Sequence, residues 1–298
     1  MTNELLKDFQ KATVDQVYDT MYANGREGRH RILIADEVGL GKTIVAKGLI
    51  RRALADYKAR NQQFKVVYIC SNQQIARQNL KKLNVTGCED AYSSIDRITL
   101  LSTEQRPNTG DLQLIALSPN TSFSLRSNGG VVRERALLFH ILKQHPDFRR
   151  RTRSLKELFR LDVGYDRWEE WVEYDYYTDD VITDDFLQSL ETEKTLLHEI
   201  QHHLDQRFYH DIRKNRPLVG KIREALAKVS LRSLKPDLII LDEFQRFKNL
   251  LEQENDDPVT QIADKATLED ARSVLLLCGF WAIGNSLLLL GLVEIFVR

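Results

Sequence analysis

Residues 31–50 read RILIADEVGLGKTIVAKGLI. A buried-strand run, Ile32 to Ala35, leads through Asp36 into a glycine loop, and Lys42-Thr43 then open an amphipathic helix. That order makes a cradle for phosphate. Small residues at Gly39 and Gly41, on either side of Leu40, let backbone N–H groups close around phosphate oxygens, and the helix N-terminus adds the positive end of its dipole. Lys42 then reaches the β- and γ-phosphates as a point charge, while the Thr43 hydroxyl supplies a ligand to Mg²⁺. The strict phosphate-loop pattern has a further glycine where this chain has Asp36.

A second stretch, residues 237–249, reads DLIILDEFQRFKN. Four apolar residues run into Asp242-Glu243, which puts two carboxylates at the end of a strand expected to be buried and parallel. Nucleotide hydrolysis needs such a pair: Asp242 to hold the Mg²⁺ ion, usually through water, and Glu243 to orient or deprotonate the attacking water. Glycine turns and acidic strand ends are each common, but the two in this order specify nucleotide binding.

Together, ADEVGLGKTI and the Asp-Glu strand resemble the first motor lobe of superfamily-two DEAD/DEAH-type helicases, closest to the Swi/Snf-like translocases and the bacterial translocases that recycle RNA polymerase. In that group Asp-Glu stands where the strict loop has its first glycine, so Asp36 fits. Phe9-Gln10, at the start of a helix with apolar Val14, Val17, Tyr18 and Met21, resembles the upstream glutamine motif that reads adenine. Residues 65–83, KVVYICSNQQIARQNLKKL, resemble the strand, turn and helix whose turn contacts a nucleic-acid backbone. Ser118, Thr121 and Ser122 resemble the phosphate-contacting hydroxyls of the next such strand end. The resemblance implies an α/β fold, a P-loop RecA-like parallel sheet flanked by helices. It implies ATP and Mg²⁺ as cofactors, nucleotide contacts from Gln10, Gly39, Leu40, Gly41, Lys42 and Thr43, and catalysis by Lys42, Asp242 and Glu243. Gln245 couples the site to a second lobe, and the track is nucleic acid, double-stranded DNA before RNA.

Lys plus Arg and Asp plus Glu both number 43 in 298 residues, so the chain has no net formal charge. A protein that coats nucleic acid is usually basic, and any such contact here has to come from a local groove. Cys70, Cys88 and Cys278 show no paired spacing, which argues for a reducing compartment and against a disulfide scaffold or a four-cysteine zinc site. The N-terminus, MTNELLKDFQ, has neither a basic start nor a long apolar run, so a cytoplasmic location is expected.

Lys42 and Asp242 stand 200 residues apart, well beyond the separation in compact first lobes of the resembled family. The surplus is assigned to a mostly helical insertion at 128–230, which begins after a Ser-Asn-Gly-Gly turn signal and ends with Val219, Ile222, Leu226 and Val229 at helical spacing. The lobe then comprises 1–127 and 231–298. Within the insertion, Arg149, Arg150, Arg151, Arg153, Lys156 and Arg160 form a basic run that is either a solvated helix face or a phosphate contact. The acidic and aromatic stretch 166–185 follows. Its acids repel a nucleic-acid backbone, so it reads as packing of Trp168, Trp171 and Val172, as a clamp on the basic run, or as a surface for a protein partner. His198-Glu199-Ile200-Gln201-His202 matches the spacing of a zinc-hydrolase helix. The stripe Leu197, Ile200, Leu204, Phe208 and Ile212 explains the histidines more simply, as boundary residues of an amphipathic helix.

Residues 273–297 are almost wholly apolar and long enough to cross a bilayer. They are a membrane anchor, the product of a prematurely ended or shifted reading frame, or a core strand and helix. The resembled family has a Ser-Ala-Thr motif after its next strand; Val274 to Leu277 fit that strand, but Cys278-Gly279-Phe280-Trp281 follow it. With the chain ending at Arg298, no second lobe is expected, and hydrolysis by this chain alone should be weak. The expected function is that of an ATP-hydrolysing motor lobe. The alternative is an ATP-binding interaction module without motor activity.

Overall fold

The computed structural model describes residues 6–23, 30–36, 39–70, 72–95, 97–104, 110–117, 129–174, 178–242 and 273–279. Six strands form one wholly parallel sheet: β1 (His30–Asp36), β2 (Phe64–Cys70), β3 (Tyr92–Ile95), β4 (Leu112–Leu117), β5 (Leu238–Asp242) and β6 (Ser273–Gly279). Most are near-continuous apolar runs, as expected of parallel strands buried on both faces. Their order is β1-β6-β5-β2-β4-β3. The strand that carries the glycine loop and the strand that ends at Asp242 are thus separated by a single strand, supplied from residues 273–279. This is the RecA-like α/β fold expected from the sequence.

Contacts divide the chain into two units. The first comprises Met1–Ile95, Pro107–Pro119 and Lys235–Arg298, and contains the sheet with helices α1 (Asp8–Tyr18), α2 (Lys42–Ala59) and α3 (Gln73–Leu83). Buried residues of α2 fall at Val45, Ala46, Leu49, Ile50, Ala53, Leu54 and Tyr57, a stripe of helical period. They pack with Val14 and Val17 of α1, Ala76 and Leu80 of α3, and the sheet residues Phe64, Val66, Tyr68, Leu114, Ile240 and Leu275. Burial of a side chain such as Leu49 or Ile50 contributes roughly 1.5–3 kcal/mol. Gly48 lets α1 come close to α2: a Cβ there would stand 2.8 Å from Val14 Cγ2. Arg52 of α2 holds the same pair of helices together, pairing with Asp15 and, at 3.1 Å, with Asp19, while its guanidinium lies 4.0 Å from the centroid of the Tyr18 ring.

The second unit comprises Asp96–Arg106 and Asn120–Leu234, so it takes in a segment before β4 as well as the region expected at 128–230. Ile98, Leu100 and Leu101 are buried there. Its helices are α4 (Val132–Leu142), α5 (Thr152–Arg160), α6 (Tyr165–Glu173), α7 (Asp180–Thr192), α8 (Thr195–Asp205) and α9 (Ile212–Leu234). The helix around His198 is shorter than its apolar stripe suggested. It ends at Asp205, Arg207 takes a left-handed conformation with φ of 56°, and Phe208 sits in a separate helical turn. At the core of this unit lies an ion pair, Glu134 with Arg223 at 2.8 Å, both 1% exposed. Thr99 Oγ1 donates to Glu134 at 2.5 Å, the Val131 N–H at 2.8 Å and Arg97 at 3.3 Å.

Residues 273–279 form β6, hydrogen-bonded to β1 on one side and β5 on the other. Those seven residues are committed to the sheet, as in the core-strand reading of 273–297. Residues 280–297 lie outside the described residues. Among the described residues no helix is long and apolar enough to cross a membrane.

Candidate nucleotide site

Parallel pairing fixes where the two motifs meet. Asp36 is in register with Gly279, and Asp242 with Leu277, so the carboxyl ends of β1, β6 and β5 share one edge of the sheet. At the usual strand spacing, β1 and β5 are about 10 Å apart, the scale of a triphosphate with its metal. From that edge the chain passes Gly39 and Gly41, with φ of 97° and 83°, and enters α2 at Lys42. Gly41 is the N-cap. Its carbonyl accepts from the N–H groups of Ile44 at 2.7 Å and Val45 at 3.1 Å, which turns the chain at once into the helix. The 18-residue helix directs its dipole at the loop. Positive φ at two loop glycines and a helix opening at Lys42-Thr43 fit a phosphate group.

Gln10 lies directly behind this loop. It is 5% exposed, its Nε2 donates to the Leu40 carbonyl at 3.0 Å, and its Oε1 accepts from the Lys7 N–H at 3.0 Å. The amide therefore braces the loop and caps α1 at the same time, and reading adenine would require exchange of these bonds. A Cβ at Gly41 would stand 2.7 Å from Gln10 Nε2, whereas at Gly39 no described atom lies within 4 Å. A left-handed conformation costs a non-glycine residue roughly 1–2 kcal/mol. Gly41→Ala is thus expected to lose at least that much in urea unfolding and to bind nucleotide poorly, with Gly39→Ala milder on both measures. Equal losses would mean that Gln10 does not limit the loop.

At the other motif, Asp242 is met by the Tyr68 hydroxyl, which donates to its Oδ2. Tyr68 is 1% exposed. Burial, and then the Asp242 charge, push its phenol far above the ordinary range, so it remains a donor. Asn79 of α3 donates to the phenol oxygen at 2.8 Å and lies 3.4 Å from Asp242 Oδ2. At the opposite end of β5, Asp237 accepts from the Lys65 N–H at 2.9 Å and the Tyr57 hydroxyl at 3.1 Å, fixing where β5 starts against β2. No motif marks Tyr68, Asn79, Asp237 or Gly48. Tyr68 and Asn79 sit inside the strand and helix expected at 65–83, where their period-2 and helical positions gave only burial.

Glu243, Gln245, Ser118, Thr121 and Ser122 lie outside the described residues. Asn72, in the turn expected to contact nucleic acid, caps α3 by accepting from the N–H groups of Gln74 at 2.8 Å and Ile75 at 3.3 Å. The basic run is largely engaged within the second unit: Arg149 with the Gln144 carbonyl at 3.2 Å, Arg151 with Asp205 at 2.5 Å, Lys156 with Glu169 at 2.5 Å and Arg160 with Glu157 at 3.0 Å. The Lys156–Glu169 pair joins the basic run to the acidic and aromatic stretch, and Trp168 and Val172 are buried. Glu199 is held by Lys221 at 2.7 Å, and the buried histidine of that helix is His203, paired with Asn215 at 2.7 Å. Among the described residues no group of three metal-ligating side chains comes together.

Residues 3–125 match the family model of the type III restriction enzyme res subunit, a DEAD-like helicase superfamily domain. The match spans α1, the glycine loop, α2, β2, α3 and β4, and stops short of β5. No curated protein and no solved structure matched the chain. This part of the chain is therefore similar to a helicase-like, ATP-binding domain, of a class that uses ATP with a divalent metal and binds nucleic acid in general.

Proposed function

We propose that this chain is the first motor lobe of a superfamily-two, Swi/Snf-like translocase that binds and hydrolyses ATP and engages double-stranded DNA. The observation that carries the reading is the sheet register, which sets the glycine loop after β1 and the carboxylate of Asp242 at one edge with a single strand between them. Gly39, Leu40, Gly41 and Lys42 hold the phosphates, and Thr43 and Asp242 hold the metal. Glu243 activates water, and Gln10 senses the base by exchanging its bonds to the Leu40 carbonyl and the Lys7 N–H. When bound, Mg²⁺ neutralises charge on the β- and γ-phosphates. The glycine loop and the N-terminus of α2 would hold the triphosphate, and Glu243 would orient the attacking water.

Turnover of Mg·ATP, measured with and without a DNA duplex and with a second-lobe protein added in trans, tests this reading. The duplex is expected to raise turnover several-fold, more so with the second lobe, and Asp242→Asn should abolish the increase. ATP-dependent capture of a protein partner with no turnover under any of these conditions would instead favour an interaction module. An equal response to RNA would reassign the track.

A further inference from the structure

Tyr68 and Asp242 project from the same face of adjacent strands. Cys70 is in register with Asp242, and Tyr68 with Ile240, two positions earlier. The phenol donates to Asp242 Oδ2, and Asn79 Nδ2 donates to the phenol oxygen at 2.8 Å. A phenylalanine would fill the same buried space with no hydroxyl to satisfy, and a buried hydroxyl costs free energy unless bonded. The hydroxyl is kept by its two bonds. In such a chain each bond polarises the next, so the strength of the phenol–carboxylate bond depends on Asn79. Asn79, whose Nδ2 also donates to Asp242 Oδ2 at 3.4 Å, lies on α3, whose first turn is capped by Asn72.

We propose that Tyr68 and Asn79 are positioning residues for Asp242, hydrogen-bonding at its Oδ2 so that the carboxylate is held in the rotation in which it binds a divalent ion. The inference rests on the reading of Asp242 as the metal-holding carboxylate. Tyr68 fixes the rotation of the carboxylate by occupying Oδ2.

The test is calorimetric titration of ATP into the full chain in Mn²⁺ and in EDTA. The ratio of the two affinities gives the metal-linked gain. Tyr68→Phe is expected to reduce that gain by about tenfold, the loss of a hydrogen bond to a charged group. Asn79→Leu should reduce it less, since it removes only the long 3.4 Å bond to Oδ2 and the support of the phenol, which keeps its own bond to Asp242. Thermal unfolding without ligand verifies that both variants fold, and Asn79→Leu carries the test if Tyr68→Phe does not. A gain unaltered in Tyr68→Phe, or a loss of equal size in EDTA, would overturn the positioning role. A wild type that binds ATP with no metal-linked gain would overturn the metal-holding reading of Asp242, and this inference with it.

Discussion

Lys42→Ala is expected to weaken Mg·ATP binding by about a hundredfold, the loss of charge-assisted hydrogen bonds to two phosphates. Lys42 is the first residue of α2, so its ammonium leaves the helix at the end where the backbone N–H groups point outward. Removing it should subtract the point charge and leave the loop intact, because the turn is made by the Gly41 carbonyl and braced by Gln10. Lys47→Ala, on the same helix, serves as the control and should bind normally. Calorimetry on the three proteins decides the matter: an affinity in Lys42→Ala equal to wild type would mean that the loop is not a phosphate cradle.

The largest loss of stability is expected at Glu134. Replacing it with alanine removes the carboxylate paired with the buried Arg223 guanidinium, and breaking a buried pair in this way costs about 3–5 kcal/mol. The double variant Glu134→Leu, Arg223→Met should be less damaging than Glu134→Ala, since it removes both charges. Urea unfolding of the three proteins would measure this, and a double variant as unstable as the single would refute the ion-pair account. Acid should have a related effect. Burial alone would raise the Glu134 carboxyl, but Arg223, Thr99 and the Val131 N–H outweigh it and hold the group below the ordinary carboxylate range. An unfolded glutamate titrates near pH ~4.3. The stabilisation from a depressed folded value is therefore fully present above that pH and is lost as pH falls through the folded value. Between pH 7 and 5 this carboxylate should contribute no pH dependence, and below pH ~4 wild type should lose more stability than Glu134→Gln.

The parts of the site that a local pattern can encode were legible in the sequence. Residues 31–50 specify strand, turn and helix through apolar runs and glycines, and 238–242 specify a buried strand that ends in a carboxylate. Composition alone could not show that β6 would enter between them, because its apolar run serves equally as strand, anchor or buried helix. What the sequence concealed are pairings across long separations. Tyr68 finds Asp242 across 174 residues, Asp237 finds Lys65 across 172, and Arg223 finds Glu134 across 89. Each partner has an ordinary local role, as a strand aromatic, a strand-start acid or a helix arginine, and only the fold makes the pair. The stripe that ran past Asp205 failed for a related reason. Periodicity continues through Phe208 and Ile212, but Arg207 is left-handed and breaks the helix beneath it.

The position of β1 has a consequence for how the molecule assembles. Among the described strands its only neighbour is β6, which the chain reaches more than two hundred residues later. Loop-closure entropy must be overcome before such a contact contributes, and topologies rich in distant pairings fold slowly. During synthesis β2, β3 and β4 can pair while β1 still waits, its backbone unmatched and its glycine loop without a fixed floor. Among the described strands, the frame of the nucleotide pocket is thus completed last. A ribosome-bound chain should acquire ATP affinity only after residues 273–279 have emerged, however early the loop itself was made.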